Sequence, residues 1–236
     1  MFLLAIDTTG REGFVALAEA ASAASELHLL ASVPLHGRRA SEELLPSLDA
    51  MLRAHSLAPA DVALICVSHG PGSFTGVRVG LCTAKAMAEA LSTPIAPVSS
   101  LAALALSAPV AGGVFALLEA QRGELFLGEY ERAEDGSVRR IAESVETRET
   151  LAEKLSACAE ALPQLVTADA ALQEFLLAAG FTPISVAPPA AEAYLSLGLR
   201  AWASGLCADA ALLDANYLRR SEAELVVAPK LGIPLR

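Results

Sequence analysis

The sequence predicts an α/β protein of two domains related by an internal duplication, on three observations. Residues 1–108 read in the order β-β-β-α-β-α-β-α, from alternating apolar runs and helical stripes. Pro109 to Gly113 are small and turn-forming, which marks a boundary. Beyond it the chain repeats three strands and then alternating helices and strands, at lower fidelity. The expected division is therefore 1–108 and a smaller unit at 109–236 that ends in an irregular tail.

The elements follow in order. Residues 2–6, 13–19 and 27–33 read as three short strands, with Asp7 to Glu12 making the first turn. Ser41 to Leu57 carries apolar residues at 44, 45, 48, 51 and 52, a helical stripe with Ser41 as its expected N-cap. Pro46 should kink that helix or move its true start closer to residue 45. An apolar strand at 62–67 leads into a glycine-rich turn and a helix that runs to about Leu91. A strand at 94–98 and a helix from Ser99 or Ser100 to about Ser107 complete the first half. In the second half, strands at 114–118, 124–130 and 137–144 precede a helix over 150–162 and a strand at 165–168. A helix at 172–179, a strand at 182–186 and a helix at 190–204 follow. From Cys207 onward the chain reads as a strap or a loose tail.

Composition narrows the function classes. Seventeen basic against 27 acidic side chains give −10, which argues against a chain that binds nucleic acid by itself. The 54% hydrophobic content is spread through the sequence without an apolar run of membrane-spanning length. Cys66, Cys82, Cys158 and Cys207 form no CxxC pair and read as free thiols in a reducing cytoplasm.

Ser68 to Leu81 is the most informative stretch. Gly70-Pro71-Gly72 suits a tight turn, and Ser73 can cap the following helix. Inside that helix Gly76, Gly80, Ala84 and Ala88 recur every four residues. A glycine in a helix interior costs about 1 kcal/mol relative to alanine, so two on one face imply close approach of another backbone. We read that face as a docking surface formed by Ser73, Phe74, Thr75, Gly76, Val77, Arg78, Gly80, Leu81 and Ala84. On this reading Gly80→Leu blocks a partner and leaves the monomer folded.

Chemical alternatives fit less well. Gly70 to Gly76 lacks the Lys of a P-loop, and Thr75 stands where a dinucleotide fingerprint needs its third glycine. Ser73 near His69 has no nucleophile elbow around it. His28, His36, His55 and His69 form no metal-binding pair. Asp7-Thr8-Thr9 after the first strand could hold a Mg²⁺-bound phosphate, or could be a local Asx-type turn. A complete ATP site would need a second glycine-rich loop, and its counterpart by order, Val166 to Ala170, has no glycine.

Several of these segments together resemble the bacterial TsaB (YeaZ) family: Leu4 to Thr9, Gly70 to Gly80, Pro97 to Leu101, Arg122 to Phe126, and Tyr217-Leu218-Arg219. The resemblance implies an actin-like, sugar-kinase-like (ASKHA) α/β fold of two ribonuclease-H-like domains, each a mixed sheet flanked by helices. It implies a cytoplasmic scaffold that is not itself an enzyme, pairs with the homologous catalytic subunit TsaD, and is joined by the ATPase TsaE. That complex transfers threonylcarbamoyl to the adenosine beside the anticodon of tRNAs reading ANN codons. Asp7, Thr8 and Thr9 would be a vestigial nucleotide site, with ATP, ADP and Mg²⁺ acting only at the level of the complex. tRNA would be met only through the complex, with no membrane involved and homodimers expected when the subunit is alone. Ala40 stands where relatives often carry a histidine, and Glu119-Ala120-Gln121-Arg122 and Ala215 are further departures. The rival function is a self-acting nucleotide-binding or hydrolytic enzyme of the glycoprotease type.

Overall fold

The computed structural model describes residues 1–22, 25–36, 39–158 and 162–218. Its strands form two five-stranded mixed sheets of identical topology. In the first, β1 (Phe2–Asp7), β2 (Glu12–Glu19) and β3 (His28–His36) are antiparallel neighbours. There β4 (Val62–Gly70) and β5 (Ile95–Ser99) continue parallel from β1, giving the order β3-β2-β1-β4-β5. In the second, β6 (Gly112–Glu119), β7 (Glu124–Arg132) and β8 (Val138–Thr147) are antiparallel neighbours. Here β9 (Gln164–Thr167) and β10 (Ile184–Ser185) continue parallel from β6, giving β10-β9-β6-β7-β8. The repeat read in the sequence is thus a repeat of strand order as well as of element order.

Helices cover both faces of each sheet. On one face of the first sheet α1 (Ala40–Ala54) and α2 (Phe74–Leu91) bury Leu44, Leu48, Met51, Leu81 and Ala84 against Leu4, Ile6, Val15 and Ile65. The second sheet is covered by α3 (Ser100–Ala105) on one face. On its other face lie α4 (Arg148–Ala157) and α5 (Ala170–Ala178). The last helix among the described residues, α6 (Ala191–Ala203), returns to the first sheet, where Tyr194, Leu195 and Leu199 bury against Leu3, Ala5, Leu64 and Ala96. The boundary expected at 108/109 therefore does not separate the packing, since the smaller unit lends α6 to the larger one. An apolar sheet face must be covered, and α6 covers most of this one, with Ala103 of α3 in the same cluster.

Two local departures have clear causes. The first helix begins at Ala40 without a side-chain cap from Ser41, and the Glu43 carboxylate accepts from the His36 amide at 2.9 Å instead. Pro46 lies inside α1 on its exposed side, and the packing of Leu44, Leu48 and Leu52 carries the helix through it. A cysteine beneath α6 sets how close that helix lies. A Cβ added at Gly198 would overlap the Cys66 sulfur, inside the sheet face. Gly198→Ala is expected to destabilise the protein by about 1–3 kcal/mol. In urea titrations Cys66→Ala should restore part of that loss by removing the sulfur.

Candidate functional site

Parallel pairing of β1, β4 and β5 brings the C-terminal ends of three neighbouring strands together. Ligands of open α/β sheets gather at such ends. Each end here carries short polar residues: Asp7-Thr8-Thr9 where β1 ends, Ser68 on β4, and Ser99-Ser100 where β5 passes into α3. All six are buried.

Their polar atoms satisfy one another. Asp7 Oδ1 accepts from the Thr9 amide at 2.9 Å and from the Thr9 hydroxyl at 2.7 Å. Asp7 Oδ2 accepts from the Tyr194 hydroxyl of α6 at 3.1 Å. The hydroxyls of Thr9, Ser68 and Ser100 form a triangle with sides of 3.0, 3.2 and 3.4 Å. Burial pushes the Asp7 carboxyl above the usual carboxylate range, opposed in part by the Thr9 bonds. Burial, and then the nearby Asp7, push the Tyr194 hydroxyl well up.

The glycine loop and α2 close over this turn. Gly70 has φ of +101°, a conformation open to glycine, and ends β4 where the chain reverses. The Ser73 amide donates to the Thr9 carbonyl at 2.8 Å, and the Ser73 hydroxyl caps α2 by accepting from the Gly76 amide at 3.2 Å. The Thr8 hydroxyl donates to the Gly76 carbonyl at 2.6 Å. A Cβ on Gly72 would stand 2.7 Å from the Thr9 carbonyl oxygen, and one on Gly76 would overlap the Thr8 carbonyl oxygen. One on Gly80 would overlap the Thr8 hydroxyl.

This corrects the docking surface drawn from the sequence. The close backbone approach is real, but it is to the same chain. Val77, Gly80, Leu81 and Ala84 are buried in the protein's own core, and Gly76 is half-buried against Thr8. Of the nine expected residues only Ser73, Phe74, Thr75 and Arg78 are exposed. A repeat of four does not say which way a helix face points. The deciding signal was that Val77, Leu81, Ala84 and Ala88 share the side of Gly80, leaving Thr75, Arg78, Cys82 and Glu89 opposite.

The sequence reading placed Phe74 and Arg78 on the docking surface without their link to Tyr217, and it missed a second group altogether. On the outward side of α2, the Arg78 guanidinium lies 3.8 Å from the Phe74 ring centroid, and its Nε donates to the Tyr217 hydroxyl at 2.8 Å. Between the sheets, the Glu143 side chain of β8 is 2% exposed and accepts from the hydroxyls of Ser99 and Tyr130. It also accepts from the Asn216 amide nitrogen at 2.6 Å. His69 sits beside this carboxylate, and burial lowers its pKa. Paired strand ends could have pointed to Ser68 and Ser99. Nothing local marks Glu143, Tyr194 or Asn216.

Other expected sites look different in detail. Asp169, in the second-half segment compared with a phosphate loop, accepts from the Glu119 amide at 2.8 Å. Ala40 is buried in the first turn of α1. Among the described residues no group of three or more His, Cys, Asp or Glu side chains is placed to hold a metal ion. No helix among them is long and apolar enough to cross a membrane. Arg219, the last residue of the Tyr-Leu-Arg motif, lies outside the described residues.

Comparison with known proteins agrees with the geometry. The family model described as "TsaD: tRNA N6-adenosine threonylcarbamoyltransferase" matches residues 33–182, well over half of the chain. The chain is 35% identical over 132 residues to the tRNA threonylcarbamoyladenosine biosynthesis protein TsaB of Bacillus subtilis, covering 56% of each protein. It is 32% identical over 139 residues to the protein of that name from Escherichia coli, covering 58% of each. These matches thus span little more than half the length of the curated relatives. The solved structure of YeaZ from Pseudomonas aeruginosa superposes with a TM-score of 0.70 at 28% identity, covering 92% of this chain and 99% of that one.

Proposed function

We propose a docking role for this chain, which belongs to the TsaB/YeaZ family within the group matched by the TsaD-type model. It acts in tRNA threonylcarbamoyladenosine biosynthesis as a non-catalytic cytoplasmic subunit. It pairs with a homologous TsaD-type catalytic subunit, and the ATPase TsaE joins the pair. One observation carries the non-catalytic reading. Each carboxylate oxygen of Asp7 already accepts a hydrogen bond from the protein, and the α2 glycines lie directly on the turn that would cradle a phosphate. A nucleotide phosphate there would have to displace the Thr9 carbonyl from the Ser73 amide and break the hydroxyl triangle.

The partner-facing surface on this reading is the outward side of α2, with Phe74, Thr75 and Arg78, rather than its glycine side. The net charge of −10 leaves tRNA contacts to the other subunits. Reconstitution tests the role directly. The purified TsaD-type subunit, TsaE, threonylcarbamoyl-adenylate and unmodified tRNA should give modified tRNA only when this chain is added. The chain alone should show no ATP turnover. Metal-dependent ATP hydrolysis by the chain alone, abolished by Asp7→Asn, would overturn the proposal.

A further inference from the structure

Residues 208–217, after α6, are pinned along their length. The Ala208 amide donates to the Ile95 carbonyl at 2.9 Å, Lys85 of α2 donates to the Leu213 carbonyl at 2.6 Å, and Leu213 is buried in the first core. Asn216 then sits in the cleft, its amide donating to the His69 carbonyl at 2.8 Å and its side chain to Glu143. The next residue, Tyr217, lies on the outward side of α2, its ring 5.4 Å from that of Phe74 and its hydroxyl holding Arg78 Nε. One strap thus connects a buried carboxylate of the second sheet to a cation on the exposed face of the first.

Arg78 is exposed on α2, held by its Nε on the Tyr217 hydroxyl and by the Phe74 ring. Among the described residues no carboxylate lies within ion-pair distance of it. A guanidinium fixed at its inner edge presents two parallel donors, the geometry that a carboxylate accepts. Phe74 is 44% and Tyr217 40% exposed, so the fork is set in an apolar rim. Aromatic and arginine anchors of this kind are enriched at the centres of protein interfaces. The charge of −10 disfavours a polyanionic occupant and leaves a protein side chain as the carboxylate source.

We propose that Arg78, caged by Phe74 and Tyr217, is the anchor that grips an Asp or Glu side chain of the docking partner. Asn216, tied to Glu143, is the residue that positions this cage from the cleft. The inference rests on the docking role proposed above. Through Glu143 and Asn216, the relation between the two sheets sets how well the anchor is formed.

The test uses the full chain and the purified TsaD-type homologue in isothermal titrations at low and high salt. Arg78→Ala should weaken binding roughly 10- to 100-fold at low salt and less at high salt. Arg78→Lys should recover only part of that loss, because an ammonium offers no fork. Tyr217→Phe keeps the ring and loses the Nε acceptor, and should weaken binding about threefold to tenfold. Asn216→Ala, which removes a donor to the buried Glu143 carboxylate, should weaken it similarly at a temperature where the variant is folded, and should add nothing in the Arg78→Ala background. Wild-type affinity in Arg78→Ala overturns the inference, as does full additivity of Asn216→Ala with Arg78→Ala. Arg78-dependent binding of tRNA to the chain alone overturns it too. Failure of the wild type to bind the homologue overturns the docking role as well as this inference.

Discussion

Replacing Gly76 with alanine is expected to destabilise the protein by about 3 kcal/mol or more, since its Cβ would make the closest approach of any glycine among the described residues. The added Cβ would meet the Thr8 carbonyl oxygen, a backbone atom that cannot rotate away. It would also push apart the pair in which the Thr8 hydroxyl donates to the Gly76 carbonyl. Gly80→Ala should be milder, since its Cβ meets the Thr8 hydroxyl, which can turn at the loss of that hydrogen bond. Gly80→Leu adds three more carbons to a buried position and should approach the Gly76 effect. Denaturant titrations should thus rank the losses Gly76→Ala ≥ Gly80→Leu > Gly80→Ala. This reverses the expectation drawn from sequence, in which a bulky residue at 80 blocks a partner and spares the fold. Full stability of Gly76→Ala would show that α2 does not lie on the Thr8–Thr9 turn.

Asp7 offers the second large effect, and separates structural from chemical use of a carboxylate. Asp7→Ala leaves the Thr9 amide, the Thr9 hydroxyl and the Tyr194 hydroxyl without their acceptor in a buried place. A loss of about 3 kcal/mol is expected. Asp7→Asn keeps an acceptor for Thr9 and removes the charge, so it should stay folded. Its value lies in the pH dependence. Burial raises the Asp7 pKa in the folded state above 3.8. Between that value and the folded pKa, the native state binds more protons than the unfolded one. Stability therefore falls as pH rises through this window and levels off above it. Subtracting the Asp7→Asn curve from the wild-type curve isolates the contribution. A difference that grows in favour of the wild type as pH rises would contradict a buried, desolvated carboxyl.

How far the sequence reaches can be argued from these same residues. The order of elements along the chain followed from apolar runs and turn residues, because β1, β4 and β6 are buried over most of their length and read as near-continuous hydrophobic segments. Ser73 was legible as a cap because capping is a local event. The direction of the α2 glycines was misread because glycine periodicity reports closeness without naming the neighbour. The neighbour, Thr8, lies 68 residues away in sequence. Glu143, Asn216 and Tyr194 were invisible for a related reason. Their importance arises only where two sheets, a strap and a returning helix meet, and no local pattern encodes that meeting. The Asp7-Thr8-Thr9 turn lay between: it was identified as polar and special, but its bonds to Ser68, Ser100 and Tyr194 join residues far apart in sequence.

The return of α6 to the first sheet has a consequence for synthesis. As the nascent chain leaves the ribosome, the five strands of the first sheet are complete at Ser99, yet the face bearing Leu3, Ala5, Leu64 and Ala96 has no cover. Its lid is translated only after the whole second sheet, and Tyr194 brings Asp7 its last hydrogen-bond donor at the same moment. During synthesis that apolar face therefore lacks the α6 side chains for as long as the second half takes to be translated.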